Sequence, residues 1–207
     1  MLMNLENLKS KYNCDFKGVY HIGGHIGQEA LIYKNLGIKP IVFFEPLKFN
    51  YNRLTKHCID NNVIAYTYNC AISPIEGEIE MFVESANDGQ SSSCLRPDLH
   101  LLQYPNIQFN TKIKVKTDKL DNYYWHGCNF INIDVQGYEL EALKTGPKVL
   151  SNVDYLMAEV NRFSLYRNCA LVEELDEYLL TFGLERVETD WAGQTWGDAF
   201  YVKKNRI

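Results

Sequence analysis

The sequence lacks the long apolar segments of a membrane protein. No stretch approaches the roughly 20 apolar residues that cross a bilayer. Residues 1–15 carry Asn, Glu and Lys among their leucines, so they do not form the apolar core of a signal peptide. We therefore expect no membrane span and a cytoplasmic location.

The sequence also lacks an excess of basic residues. Lysine and arginine total 21 against 26 aspartates and glutamates, which gives a formal net charge of −5 at pH 7. Proteins that bind nucleic acids usually need surplus cations to neutralise a run of phosphates. We therefore expect no nucleic-acid partner.

Paired cysteines are the third missing feature. The cysteines show no Cys-x-x-Cys pair for a zinc or redox site, and their wide scatter gives no dense disulfide framework. We expect free thiols in a reducing compartment. The cysteines stand at Cys14, Cys58, Cys70, Cys94, Cys128 and Cys169.

The remaining composition is that of one ordinary globular domain. Hydrophobic residues make up 46% and charged residues 23% of the 207 residues, close to the averages for soluble domains. A chain of this length fits one core better than two. We predict a single domain over residues 1–207, in which residues 1–17 are an N-terminal extension.

The first third of the chain alternates between strand and helix patterns. Residues 18–22 form a β-rich run that ends in a glycine turn, residues 28–36 are good helix formers, and residues 41–44 are continuously apolar. A second helix over residues 48–60 and a third strand near residues 63–68 follow. This β-α-β-α-β order predicts a parallel sheet with right-handed crossovers.

The alternation is interrupted between residues 78 and 117. Residues 78–84 and 111–117 alternate like strands, whereas residues 85–110 have the composition of a long loop. We interpret residues 78–117 as a strand-loop-strand insertion. Strand and helix patterns then resume, with strands at 130–133, 153–160, 184–188 and 199–202 and helices at 137–144 and 171–182.

Candidate ligand-binding residues follow the predicted strands, because open α/β sheets bind ligands outside the carboxyl ends of their strands. The glycine turn allows close backbone approach to a ligand. Ile22 occupies the place of the first glycine of a dinucleotide motif, which argues against an oxidoreductase that uses a nicotinamide cofactor. Glu45 follows the second strand, where an acid holds the ribose hydroxyls in such folds.

Several segments together resemble the FkbM family of methyltransferases. They are His-Ile-Gly-Gly-His-Ile-Gly-Gln-Glu at 21–29, Phe-Phe-Glu-Pro at 43–46, Ala-Ile-Ser at 71–73, Ser-Ser-Ser at 91–93 and Ile-Asp-Val-Gln-Gly-Tyr-Glu-Leu-Glu-Ala-Leu-Lys at 133–144. The resemblance runs from about residue 18 to residue 202. It implies a Rossmann-like class I methyltransferase fold, with a mostly parallel seven-stranded sheet, an antiparallel last strand and helices on both faces.

The same resemblance implies S-adenosylmethionine as the cofactor. It places Glu45 on the ribose hydroxyls, Ala71 beside the adenine, and the glycine turn on the methionine and ribose side. His21 stands where the commonest motif of the family has an acid. The full set of predicted cofactor contacts is His21, Gly23, Gly24, His25, Gly27, Glu45, Ala71, Ser92 and Asp134.

The resemblance further implies O-methylation, often of a sugar hydroxyl or a small natural product. Methyl transfer from a sulfonium is an in-line displacement that needs a positioned hydroxyl and a destination for its proton. Asp134, Glu159 and His25 are the candidate catalytic residues. Asp134 and Glu159 should lie at the ends of nearby strands, as base and substrate anchor or as ligands of a divalent cation such as Mg²⁺ or Mn²⁺.

Three residues are candidates for acceptor binding. We predict Gln136, Glu139 and Trp191 as substrate contacts, with Trp196 and Tyr166 as further aromatic side chains that could stack on a sugar. Each has an alternative role. Glu139 also suits the first turn of its helix, where the macrodipole favours an acid, and an aromatic side chain is equally suited to core or subunit packing.

The predicted function is therefore methyl transfer from S-adenosylmethionine to a sugar hydroxyl of a glycan or glycoconjugate. The closest alternative acceptor is a hydroxyl of a polyketide, a lipid or another small molecule, for which a more apolar pocket is expected. The other alternative is a non-catalytic protein that keeps the Rossmann-like fold for assembly. The sequence does not indicate an oligomeric state.

Overall fold

A seven-stranded sheet forms the centre of the computed structural model, which describes residues 2–206. The first five strands in spatial order are parallel, and β10 runs antiparallel to both of its neighbours. The predicted sheet, mostly parallel with an antiparallel last strand, is thus confirmed. The spatial order is β3 (Tyr66–Tyr68), β2 (Ile41–Phe44), β1 (Gly18–Ile22), β7 (Cys128–Ile133), β8 (Tyr155–Asn161), β10 (Trp196–Lys203) and β9 (Leu184–Ala192).

Helices cover both faces of this sheet. Val19 of β1 packs in one apolar cluster with the first three helices, whereas the next residue, Tyr20, packs in a second cluster with the last three. Strands between two such layers are buried on both sides, which explains their continuous apolar runs. The helices are α1 (Leu5–Lys11), α2 (Ala30–Asn35), α3 (Lys48–Asp60), α4 (Leu99–Gln103), α5 (Glu139–Leu143), α6 (Pro147–Asn152) and α7 (Val172–Leu180).

A second, three-stranded sheet lies in the region predicted as an insertion. It contains β4 (Ala71–Ile72), β5 (Gly77–Val83) and β6 (Thr111–Asp118) in the order β4-β6-β5, and β5 and β6 pair antiparallel. The intervening loop contains α4, a five-residue helix that the loop-like composition concealed. Isolated bridges from this loop, such as Phe82 to Ser93, hold it against the rest of the molecule.

Several element boundaries differ from the sequence prediction for local reasons. The first predicted helix begins later, at Ala30, because residues 27–29 form a turn. The two closing strands are longer than predicted because they pair with each other as a hairpin from Leu184 to Lys203. The sequence analysis also missed α6, where a proline starts a helix of only six residues.

The N-terminal residues fold back onto the sheet. α1 lies within the predicted extension of residues 1–17 and buries Leu5 and Leu8 in the cluster that contains Phe16 and Phe200. The side chain of Asn4 caps this helix by accepting from the backbone N–H of residue 7 at 2.9 Å. The two end residues of the predicted domain, 1 and 207, lie outside the described residues. No helix among residues 2–206 combines the length and apolar character needed to cross a bilayer.

Candidate functional site

A cavity of about 390 Å³ opens at the carboxyl ends of the parallel strands. This is the edge at which open α/β sheets bind ligands. Its lining comes from the turn after β1, the end of β2, β4, the loop of the insertion and the turn after β7. Of the residues predicted from the sequence, the lining contains His21, Gly23, His25, Glu45, Ala71, Ser92, Asp134, Gln136 and Glu159.

Gly23 allows the turn after β1 to approach the turn after β7. Its N–H donates to the carbonyl of Phe44 at 2.9 Å, and its φ of 88° lies in the left-handed region that favours glycine. A Cβ atom at this position would lie 1.9 Å from the carbonyl oxygen of Asp134. No larger residue fits without separating the two turns that form this edge of the cavity.

The other two glycines of the turn serve packing instead. A Cβ atom on Gly24 would meet Leu54 at 2.7 Å and Phe43 at 2.8 Å, and one on Gly27 would face Leu54 at 3.4 Å. Neither glycine lines the cavity. Their bare Cα atoms face α3, and their predicted contact with the cofactor stays a prediction.

Glu45 is buried at the end of β2, where its carboxyl group joins two segments of the cavity wall. One oxygen of its carboxyl group accepts from the backbone N–H of His25 and the other from that of Leu47, both at 2.8 Å. Burial raises the pKa of Glu45 to about 8, and the two N–H donors oppose that shift. A ligand whose hydroxyl groups donate to this carboxyl would favour its ionised form.

His25 links the turn after β1 to the loop of the insertion. Its Nε2 lies 2.9 Å from the carbonyl oxygen of Asp88, and its Nδ1 lies 2.9 Å from the amide nitrogen of Gln28. Nε2 therefore donates and Nδ1 accepts. Both ring nitrogens are thus engaged in the cavity wall, and the catalytic role of His25 stays a prediction.

His21 lies at the end of β1, and only 2% of its surface is exposed. Its Nδ1 lies 2.9 Å from the hydroxyl of Tyr33, which in turn accepts from the side-chain amide of Asn132 at 2.6 Å. Burial lowers the pKa of His21 below its usual value, while the nearby carboxylates of Glu29 and Asp134 oppose that shift. The imidazole is thus neutral at pH 7 and borders the cavity.

A carboxylate cluster of Asp134, Glu139 and Glu159 lies beside this edge, with one oxygen from each within 4.8 Å of the others. Asp134 follows β7 and Glu159 belongs to the adjacent strand β8, so the sheet brings together the two acids that the sequence prediction paired. The amide nitrogen of Gln136 donates to Asp134 Oδ1 and to Glu159 Oε2, both at 2.9 Å. One amide thus bridges the two carboxyl groups.

Glu139 holds the turn after β7 through two hydrogen bonds to its backbone. Its Oε1 accepts from the N–H groups of Val135 at 2.9 Å and Gly137 at 3.2 Å. Burial raises the pKa of Glu139 to about 7. The residue does not line the cavity, and its carboxyl group accepts from the backbone of its own turn, as its alternative role at the start of the helix predicts; its contact with a substrate stays a prediction.

Glu159 is buried among other acids. Burial raises its pKa well above the usual value, and the negative charges of Asp134, Glu139 and Asp198 add to the shift. Asp198 is the register partner of Glu159 on β10. Burial among these acids therefore favours the protonated form of Glu159, which lines the cavity.

An aromatic wall of His100, Tyr104 and Trp196 borders the cavity. The indole N–H of Trp196 donates to the hydroxyl of Tyr104 at 2.8 Å, which fixes both rings. Trp191, the predicted substrate contact, does not line the cavity; the Arg162 guanidinium lies 3.7 Å from the centre of its ring. Of the predicted tryptophans, Trp196 is the one that the hairpin of β9 and β10 places on the cavity side.

The serine run holds the loop in place. Ser92 lines the cavity, and its hydroxyl oxygen accepts from the N–H of Glu84 at 3.1 Å. The Ser93 hydroxyl donates to the carbonyl of Gln136 at 2.7 Å. His100 and Tyr104 belong to α4 or its end within this loop, and no periodic pattern in the sequence marked them.

Comparison with known proteins identifies the family. Residues 21–186 match the methyltransferase FkbM domain. Over 127 residues the chain is 28% identical to the 2-O-methyltransferase NoeI of Sinorhizobium fredii, a match that covers 56% of this chain and 52% of NoeI. The matched region thus spans about half the length of this curated relative.

Solved methyltransferases share the fold. Magnesium protoporphyrin IX methyltransferase (ChlM) from Synechocystis PCC 6803, solved with bound SAM, superimposes with a TM-score of 0.55 at 9% identity, over 95% of this chain and 74% of that chain. TrmK of M. capricolum, solved in complex with S-adenosyl-homocysteine, gives a TM-score of 0.54 at 9% identity, over 99% of this chain and 70% of that chain. Likeness at these identities concerns the fold, which is that of class I methyltransferases.

The match to the family covers most of the chain, and the fold agrees with it. The resemblance carried by the segments after β1, β2 and β7 is therefore confirmed. The chain belongs to the FkbM methyltransferase family.

Proposed function

We propose that this methyltransferase transfers the methyl group of S-adenosylmethionine to a hydroxyl group of an uncharged sugar in a glycan or glycoconjugate. The charge and shape of the cavity carry this proposal. Carboxyl and amide groups lie on one side, the aromatic wall lies on another, and none of the lining residues in the described chain is lysine or arginine.

The cofactor is assigned to the part of the cavity that β1, β2 and β4 form. Glu45 would accept from the ribose hydroxyls, and Ala71 and Ile72 offer an apolar surface for the adenine. The methionine end would lie where Gly23 brings the turn after β1 against the turn that carries Asp134. Support comes from the class I fold and from its neighbours ChlM and TrmK, which were solved with S-adenosylmethionine or its product.

The acceptor is assigned to the side of the cavity next to the aromatic wall. Aromatic rings pack on the apolar face of a sugar, while Asp134, Gln136 and Glu159 offer partners to its hydroxyl groups. An acceptor with phosphate or carboxylate groups would face these acids without a compensating cation. The name of NoeI, a 2-O-methyltransferase, also favours a hydroxyl acceptor.

Two other acceptor classes fit less well. A polyketide or lipid would find too many polar groups, because carboxyl groups left without a partner are costly to bury. A nucleic acid needs cations along its phosphates, and no lysine or arginine lines the cavity within residues 2–206.

The reaction follows from the placement of Asp134. S-adenosylmethionine, held by Glu45 and the turn after β1, would supply its methyl group to the acceptor hydroxyl oxygen and leave as S-adenosylhomocysteine, and Asp134 would take the hydroxyl proton. The bridging amide of Gln136 holds Asp134 in position against Glu159. Glu159, whose pKa burial and the neighbouring acids raise, lines the same cavity and offers a second partner to the acceptor hydroxyl groups.

A resident divalent cation fits this cluster poorly. The amide nitrogen of Gln136 lies between Asp134 and Glu159, where a cation would have to bind both, and a donor N–H group repels a metal ion. Glu139 already accepts from two backbone N–H groups. No step of the proposed reaction therefore uses Mg²⁺ or Mn²⁺.

The first experiment is calorimetric titration of the purified protein with S-adenosylhomocysteine and, separately, with NAD. Binding of S-adenosylhomocysteine alone is expected, and absence of such binding would contradict the proposed cofactor. Transfer of a radiolabelled methyl group is then measured with neutral glycosides, the matching sugar phosphates and a hydroxylated lipid. We expect label in the neutral glycosides; preferential labelling of the phosphates or the lipid would contradict the proposed acceptor.

A further inference from the structure

His21 presents an unusual group at the methionine end of the cavity. The residue is the register partner of Asn132 on β7, so the two side chains leave the sheet on the same face, where Tyr33 of α2 contacts both. His21 is buried but lines the cavity. One of its ring nitrogens is bound by Tyr33, so Nε2 is the nitrogen left for a ligand.

The hydrogen-bond relay fixes which nitrogen carries the proton. The amide of Asn132 donates to the hydroxyl oxygen of Tyr33 at 2.6 Å, so the single hydroxyl proton of Tyr33 is directed to Nδ1 of His21, 2.9 Å away. Nδ1 is therefore an acceptor. Because burial lowers the pKa of His21, the ring is neutral, and its one proton lies on Nε2.

The amino-acid end of the cofactor carries an ammonium group and a carboxylate, and each needs a different partner in the cavity. The carboxylates of Glu29 and Asp134 act on His21 electrostatically, and both residues line the cavity with it. They suit an ammonium group. A carboxylate needs a donor, and no lysine or arginine lines the cavity in the described chain. The other side-chain donors that follow β1, His25 and Gln28, are engaged with each other and with Asp88.

We propose that the Nε2–H group of His21 binds the α-carboxylate of the cofactor's methionine moiety, with Tyr33 and Asn132 as positioning residues that set its tautomer. This inference rests on the proposed binding of S-adenosylmethionine in this cavity. The neutral donor of His21 would bind the carboxylate, and the neighbouring acids Glu29 and Asp134 would bind the ammonium group. One end of the cavity would then bind both charges of the zwitterion.

The test compares two ligands that differ only in the carboxylate. S-adenosylhomocysteine and its decarboxylated analogue, which keeps the amine, are titrated into the wild type, His21→Phe and Tyr33→Phe by calorimetry. A hydrogen bond to a charged group is worth a preference of about 10-fold or more for the carboxylate ligand. We expect this preference in the wild type, its loss in His21→Phe, and a partial loss in Tyr33→Phe, with affinity for the analogue changed by less than about threefold.

Different failures are separable. Equal weakening of both ligands by His21→Phe, or a preference that survives the substitution, would overturn the role of His21 while leaving cofactor binding intact. If the wild type bound neither ligand, the proposed function would fail and the inference with it. His126→Phe is the matched control, since His126 is exposed and lies outside the cavity lining; it should leave both affinities unchanged.

A second measurement reads the tautomer of His21 directly in the wild type. Nitrogen-15 correlation spectra of the ligand-free wild type, with the His21 signals assigned from the His21→Phe spectrum, distinguish a protonated from an unprotonated ring nitrogen. We expect His21 to be neutral with the proton on Nε2 at pH 7. A proton on Nδ1 would overturn the proposed relay.

Discussion

Replacement of Glu45 by Gln separates cofactor binding from the structural role of this residue. Gln keeps the size of the side chain and removes the charge. In the ligand-free protein, burial raises the pKa of Glu45 to about 8, so at pH 7 the carboxyl group is mostly protonated and Gln resembles it. The fold should lose only about 1 kcal/mol, for one backbone N–H left without an acceptor.

Cofactor binding should suffer more. The ribose hydroxyls donate best to an ionised carboxylate, and an amide offers only one acceptor oxygen. Loss of one hydrogen bond to a charged group costs about 2 kcal/mol, which corresponds to a roughly 30-fold weaker affinity for S-adenosylhomocysteine. The wild type should also release a proton on binding at pH 7, since the ligand favours the ionised form of Glu45.

Calorimetry in two buffers with different ionisation enthalpies measures both quantities at once. We expect Glu45→Gln to weaken binding roughly 30-fold and to abolish the proton release. Glu80→Gln is the control, because Glu80 is half-exposed on β5 with Lys112 as its partner. An affinity within about threefold of the wild type, which corresponds to less than about 1 kcal/mol, would refute the assignment of Glu45 to the ribose.

Three further outcomes are expected. Asp134→Asn should lower kcat by about 100-fold or more, as loss of a general base does, with a much smaller loss of affinity for S-adenosylhomocysteine, whose ammonium group keeps Glu29 as its other acid; equal loss in kcat and affinity would contradict the role of Asp134 as the base. Dialysis against a chelator should leave methyl transfer unchanged, and recovery of lost activity by Mg²⁺ or Mn²⁺ would contradict the metal-free mechanism. Between pH 6.5 and 8, the thermal midpoint of the ligand-free protein should fall as pH rises, because raised pKa values of about 8 for Glu45 and about 7 for Glu139 mean that the fold holds protons that the unfolded chain has released; a rising midpoint would refute those shifts.

Much of the fold follows from short-range patterns in the sequence. The strand Ile41–Phe44 and the helix Lys48–Asp60 agree with the predicted boundaries, because a buried parallel strand needs a continuous apolar run and a helix needs formers without breakers. Short or irregular elements escaped prediction. α4 and α6 have five and six residues, too few for a periodic pattern to stand out from a loop.

The sequence also indicated which acids directly follow a strand. Glu45 and Asp134 follow β2 and β7, and parallel strands bring their carboxyl ends to one edge. The pairing of Asp134 with Glu159 follows from the same rule, since β7 and β8 are neighbours. The sequence therefore determined the strands, the edge at which the acids meet and the family to which the chain belongs.

Only the packed structure determined what each side chain contacts. The ring of His25 is bound to the carbonyl of Asp88, a residue 63 positions away in the chain, and Gly24 faces α3 rather than the cavity. Trp196, and not Trp191, lines the cavity because of the way β9 and β10 pair. Periodicity specifies an element and its buried face, but contacts between distant segments depend on how the insertion and the hairpin pack against the sheet.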